Sequence, residues 1–178
     1  MDRKKNILCV NGGSSSIKFS VFGVGEVYGA GGEDLSVVLK GKIDRIGLAG
    51  ASLTFKDELT GEEGRVALKG SEMKETANFL MDWLRDKKIG FSGIGHRVVH
   101  GGQRRQPVLI DDELLAELER ISGYDPDHLP GEIGLIRLFR ERDAGLRQVA
   151  CFDTAFHATL PRVARLMPLP RRYPCHSP

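Results

Sequence analysis

The sequence predicts a mixed α/β fold, a sheet flanked by helices, from three observations. In the first third of the chain, short β-branched or aromatic runs are separated by glycine-containing turns, which reads as a strand meander. Further on, several stretches repeat apolar residues at helical spacing. Between them stand short apolar runs, and strands that alternate with helices build a layered α/β arrangement. No self-similarity recurs at a spacing of about 20 to 50 residues, so a repeat architecture is not indicated.

Ile7 to Val10 and Ile17 to Phe22 read as the first two strands, with Asn11-Gly12-Gly13 as the turn signal between them. Ser36 to Ile43, Ser52 to Lys56 and Arg65 to Leu68 extend the meander. The first helix follows: Ser71 can cap it, and Met73, Ala77, Leu80, Met81 and Leu84 form its apolar stripe. Lys87, Lys88 and Gly90 close it, with the cations near the negative end of the helix dipole. Ile94 to Val99 returns to strand character. Asp111 or Asp112 starts a second helix carrying Leu114, Leu115, Leu118 and Ile121, and a third runs from about Gly131 to Arg142 on Ile133, Leu135, Ile136, Leu138 and Phe139. Gln148 to Phe152 reads as a short buried strand.

Composition narrows the function classes. A chain of 178 residues suits one domain and can bury a core. Its 26 basic and 24 acidic residues leave a net charge of +2, too balanced to point to a nucleic-acid or membrane-surface partner. Cys9, Cys151 and Cys175 are odd in number and widely spaced, which indicates neither a disulfide framework nor a zinc site and suits a reducing cytoplasm. The basic Arg3-Lys-Lys5 is followed by an apolar run of only Ile7 to Val10, too short for a signal peptide or a membrane span.

Three constellations carry chemistry. In Asn11-Gly-Gly-Ser-Ser-Ser-Ile-Lys18 the glycines let the backbone approach a ligand, and its N–H groups with the hydroxyls of Ser14, Ser15 and Ser16 can wrap phosphoryl oxygens beside Lys18. Ile17 before Lys18 excludes a Walker A loop. A solvated turn with a surface lysine is the alternative. In Ile94-Gly-His-Arg-Val-Val-His-Gly-Gly102, Arg97 suits bidentate recognition of a carboxylate or phosphate, or an ordinary ion pair, with Arg104 and Arg105 as neighbours. His96 and His100 stand four apart, but the strand reading of Val98-Val99 argues against helical zinc ligation. Asp153 follows a hydrophobic strand directly, where ligands of open α/β sheets bind; it also suits a cap for what comes next, and His157 reads as structural.

Four segments in order, Asn11 to Lys18, Gly95 to Gly102, Phe152-Asp-Thr-Ala-Phe-His157 and Pro161 through Leu169-Pro170 to Tyr173, resemble the N-terminal part of acetate kinases. That family lies within the acetate and sugar kinase, heat-shock ATPase and actin superfamily. The resemblance implies an actin-like ATPase domain with a ribonuclease-H-like mixed sheet, and ATP-dependent phosphorylation of a short-chain carboxylate to an acyl phosphate. It also implies a role for each matched residue. Asn11 lies by a catalytic Mg2+, and Ser14, Ser16 and Lys18 contact the phosphates of ATP. Arg97 holds the substrate carboxylate, Val99 contacts the substrate, and Asp153 is the essential acid. His128 in Asp125-Pro-Asp-His-Leu-Pro130 matches a histidine that helps bind the transferred phosphate. Asp127 stands where the family has an apolar residue against the acetate methyl, so propionate or butyrate stays open beside acetate.

The family pattern also sets expectations for organisation. Residues 1–173 match its N-terminal domain, 174–178 read as a non-family tail, and a second domain, with its transition-state histidine and adenosine pocket, is absent from this sequence. His176 does not take the role of that histidine. Two functions follow: a carboxylate kinase, or a non-catalytic fragment that binds phosphate or a partner without turnover. Homodimerisation is usual in the family and runs largely through the second domain.

Overall fold

A five-strand antiparallel meander opens the fold: β1 (Asn6–Gly12), β2 (Ser16–Glu26), β3 (Glu33–Asp44), β4 (Ser52–Asp57) and β5 (Glu63–Ala67). The computed structural model describes residues 6–26, 33–68, 72–156, 160 and 161. After the meander come α1 (Met73–Asp86), β6 (Gly93–Val98), β7 (Val108–Leu109), α2 (Asp112–Ile121), a 3-10 turn (Ser122–Tyr124), α3 (Leu129–Arg142), β8 (Arg147–Phe152) and α4 (Asp153–Phe156). All strands form one eight-stranded sheet in the order β5-β4-β3-β2-β1-β6-β8-β7. β1, β6 and β8 are mutually parallel neighbours, so the first strand of the meander also begins a parallel half.

The expected elements form with small shifts at their ends. Ser71 lies outside the described residues; the N-cap of α1 is Glu72, locked in a reciprocal capping box with Glu75. Asp111 caps α2 by accepting the Leu114 N–H at 2.7 Å. α3 begins at Leu129 rather than near Gly131, because Pro130 sits in the first turn, where a missing N–H costs nothing. The edge strand β7, the 3-10 turn and α4 are too short to carry a periodic signal.

Alternation along the strands sends one face of the sheet into the core. Leu8 and Val10, Ile17 and Phe19, Leu39 and Ile43, and Leu53 and Phe55 pack under Ala77, Leu80 and Leu84 of α1 and Leu135 and Phe139 of α3. Trp83 meets the Phe19 ring edge-on at 6.2 Å and the Phe55 ring at 4.9 Å. A second cluster joins Val98, Ala150 and Phe152 to α2 and to Leu129, Ile133 and Ile136 of α3. Thus α3 spans both clusters. The opposite face, with Cys9, Asn11, Lys18, Ser20, Lys42, Arg97 and Cys151, lines a cleft of about 820 Å³. No described helix is long and apolar enough to cross a membrane.

Candidate active site

The three parallel strands end side by side, and each delivers one polar residue to the same place. Asn11 lies near the end of β1, Arg97 near the end of β6, and Asp153 directly after β8 as the first residue of α4. Val10, His96, Val98 and Phe152 are buried, so their neighbours Asn11 and Arg97 turn to the cleft face. Lys18 faces Asn11 across the β1–β2 pairing and lines the same cleft.

Arg97 is the centre of this group. Its Nε donates to Asp153 Oδ1 and Oδ2 at 2.9 and 3.1 Å, its Nη2 to Asp153 Oδ2 at 2.6 Å, and its Nη1 to Asn11 Oδ1 at 3.3 Å. The Asp153 carboxylate raises the Arg97 pKa above its ordinary value, so the guanidinium stays cationic. Side-chain exposures of 51% for Arg97 and 40% for Asp153 keep the pair within reach of a ligand. A guanidinium has five N–H donors in a planar fork. Asp153 holds its Nε/Nη2 edge, and its outer Nη1/Nη2 edge keeps two N–H groups that suit a second carboxylate or a phosphoryl oxygen pair.

Of the remaining sequence-predicted residues, Lys18 is exposed and has no ion-pair partner among the described residues, whereas Lys40 and Lys42 in the same cleft pair with Glu58 at 2.6 Å and Asp44 at 2.8 Å. Ser14 is exposed in the turn and Ser16 opens β2; the turn is held by main-chain bonds from Gly13 N to Ser16 O (2.7 Å) and from Ile46 N to Ser15 O (2.9 Å). Val99 follows β6 and is half-buried. His128 is the exposed N-cap residue of α3, where its Nδ1 meets Asp125 Oδ1 at 2.9 Å, a contact that raises its pKa. No hydrogen bond among the described residues joins Ser14, Ser16 or His128 to the Arg97 group. His157 and 162–173 of the fourth matched segment lie outside the described residues.

Two groups near the site take roles that sequence reasoning did not assign. Glu132 is 5% exposed, and its Oε2 accepts the Val99 N–H at 3.0 Å. Burial raises its carboxyl pKa. Its sequence signal is an acid on the apolar stripe of Leu129, Ile133 and Ile136. His96 is buried in β6, with Nε2 2.7 Å from Gln148 Oε1, and burial pushes its pKa down to about 4.

With this geometry in place, comparison with known proteins is direct. The acetokinase family profile matches residues 6–176. The chain belongs to the acetokinase family. The acetate kinase of Halothermothrix orenii is 35% identical over 94% of this chain and 42% of its own length. That of Staphylococcus aureus is 38% identical over 95% of this chain and 41% of its own. Among solved structures, a propionate kinase from Francisella tularensis superposes with a TM-score of 0.76 at 30% identity, covering 94% of this chain and 42% of that one. The Porphyromonas gingivalis acetate kinase gives a TM-score of 0.76 at 28% identity, with the same shares covered. The chain therefore spans less than half the length of these relatives. The actin-like ATPase fold expected from the sequence is the fold of these acetokinase structures.

Proposed function

We propose that the Asn11–Arg97–Asp153 group is the carboxylate and phosphoryl site of an acetate-kinase-type phosphotransferase, acting on ATP and a short-chain carboxylate. The observation that carries this reading is the half-used Arg97 fork: one edge fixed by Asp153, the other presented to the cleft. The outer edge takes the carboxylate of acetate, propionate or butyrate and turns one oxygen toward the γ-phosphorus. That oxygen forms the new P–O bond as the bond from phosphorus to the bridging oxygen breaks, giving acyl phosphate and ADP. Catalysis here is positioning plus charge stabilisation. Lys18, with Ser14 and Ser16 at the turn, neutralises and orients the phosphates, and Val99 borders the acid. His128 reaches the transferred phosphoryl group by turning away from Asp125.

Magnesium fits this site as a metal carried by the nucleotide. Asn11 Oδ1 and the Asp153 carboxylate are hard oxygen donors meeting at one guanidinium, and such sites take one or two protein oxygens plus phosphate and water. Among the described residues no cluster of three or more His, Cys, Asp or Glu side chains forms an all-protein cage. Asn11 and Asp153 would hold the ion, which supplies charge neutralisation at the phosphates. The free thiols of Cys9 and Cys151 are in keeping with a reducing, cytoplasmic setting.

Hydroxylamine trapping of acyl phosphate tests the reading, with the 178-residue chain, ATP, magnesium and each acid in turn, and Asp153→Asn as control. Product that vanishes in Asp153→Asn supports the reaction and names the acid. Carboxylate binding at Arg97 without product favours the non-catalytic reading instead. Folded chain that neither binds a carboxylate nor makes product overturns the carboxylate kinase reading.

A further inference from the structure

We infer that Glu132 is a positioning residue of this site: its carboxylate ties down the backbone just past Arg97 and so sets where the guanidinium fork points. The inference rests on the carboxylate site proposed above. The β6–β8 ladder ends at the pairing of Val98 with Phe152, so the Val99 N–H is the first one past the sheet. It donates to Glu132 Oε2 at 3.0 Å. Two residues on, the Gly101 N–H donates to Thr154 Oγ1 at 3.2 Å, directly after Asp153. The segment carrying Arg97 is thus clamped from two elements: α3 through Glu132, and α4 through Thr154 and the Asp153 ion pair.

Glu132 is built for this work. It stands in the first turn of α3, where a negative charge is favoured, and its helical N–H is already taken by His128 O at 3.1 Å. The side chain is 5% exposed, and its charge acts on Arg97. A buried acid with no such duty would be replaced by an apolar residue at little cost. The bond to Val99 needs only an acceptor, so the isosteric amide should make it as well. An aliphatic side chain fills the space and leaves the Val99 N–H without a partner.

The test compares Glu132→Gln and Glu132→Leu in the nitrogen-15-labelled full chain, reading amide exchange at Val99, the Arg97 Nε–H resonance, and affinity for propionate. Glu132→Gln is expected to keep wild-type Val99 protection, because the amide keeps the acceptor, and its Arg97 signal and propionate affinity set the baseline for removing the charge alone. In Glu132→Leu, Val99 protection falls by about tenfold, the scale of one lost buried hydrogen bond. The Arg97 Nε–H resonance shifts in the ligand-free chain, and propionate binds about tenfold more weakly. Amides of the fully buried Leu8 and Leu80 report that the fold is intact. Unchanged Val99 protection in folded Glu132→Leu, or lost protection with an unmoved Arg97 signal, overturns the assignment. Should wild-type chain bind no propionate, the carboxylate reading fails, and the ligand-free Arg97 resonance still decides the role of Glu132: a shift in Glu132→Leu beyond that of Glu132→Gln supports it, and no further shift refutes it.

Discussion

The meander half of the sheet and its parallel half are built from the same kind of strand but bury different things. Under β1 to β5, α1 covers an interior of Leu, Ile and Phe side chains with Trp83 at its edge, and the polar groups buried there, Asn6, Ser52 and Thr76, are uncharged. Between β6, β8 and α3 the interior takes in the ionisable His96 and Glu132 with Gln148, whose Nε2 has no hydrogen-bond partner among the described residues. Buried polar groups carry a desolvation cost that an apolar core avoids. The two buried ionisable groups, His96 and Glu132, stand on β6 and α3 beside the Arg97 segment, in keeping with the general tendency of perturbed groups to gather at functional sites. The meander half contributes Lys18 to the cleft, and the parallel half holds the fork.

Breaking the fork should give the largest effect. Arg97→Ala is expected to cut acyl phosphate formation, or carboxylate affinity where only binding is seen, by about 10²- to 10³-fold, with thermal stability nearly unchanged. A large loss of melting temperature in that variant would show that the two halves do not divide labour in this way. Leu80→Ala, a fully buried site under the meander, is expected to do the reverse: it costs about 3 kcal/mol in urea unfolding and leaves carboxylate affinity of the folded chain intact.

Acid should then distinguish the halves. The His96 pKa is held down to about 4, below its unfolded value near 6.5. Its contribution is therefore complete above about pH 6.5 and is lost as pH falls from there toward 4, up to about 3 kcal/mol in all. Hydrogen exchange across pH 7 to 5 should show β6 and β8 amides losing protection before those of β3 and β4, and His96→Leu should abolish the difference. Equal losses in both halves would remove His96 as the cause.

Smaller effects follow from close packing and capping. A Cβ at Gly41 would lie 2.6 Å from the Phe19 ring and 2.9 Å from Thr54 O, so Gly41→Ala is expected to cost about 2 kcal/mol. Asp111→Ala, which removes the α2 cap, is expected to cost about 1 kcal/mol. Thermal unfolding of both variants ranks them, and the reverse order would show that Phe19 yields more readily than its packing implies.

Much of the site was legible before the fold, for a simple reason. Asp153 directly follows a short apolar run, where ligands of α/β sheets bind, and Arg97 interrupts another, Ile94 to Val99, with a side chain suited to carboxylate or phosphate. Glu132 was not legible, because helical periodicity shows that a charged residue interrupts an apolar stripe but not which backbone N–H awaits it. His128 illustrates the opposite limit: a matched motif names the residue, yet its side chain lies against Asp125.

By itself, the sequence determined the order and kind of the longer elements, the apolar stripes of α1, α2 and α3, and the residues whose chemistry suits phosphate or carboxylate, since these depend on local periodicity and side-chain chemistry. Tertiary structure alone decided that β1 pairs with both β2 and β6, and that this brings Asn11 against Arg97, 86 positions away, and Arg97 against Asp153, 56 positions away. It also decided which acid, Glu132, is buried beneath them. Strand neighbours are chosen by how the whole sheet buries its apolar face, a property that no local stretch of sequence contains.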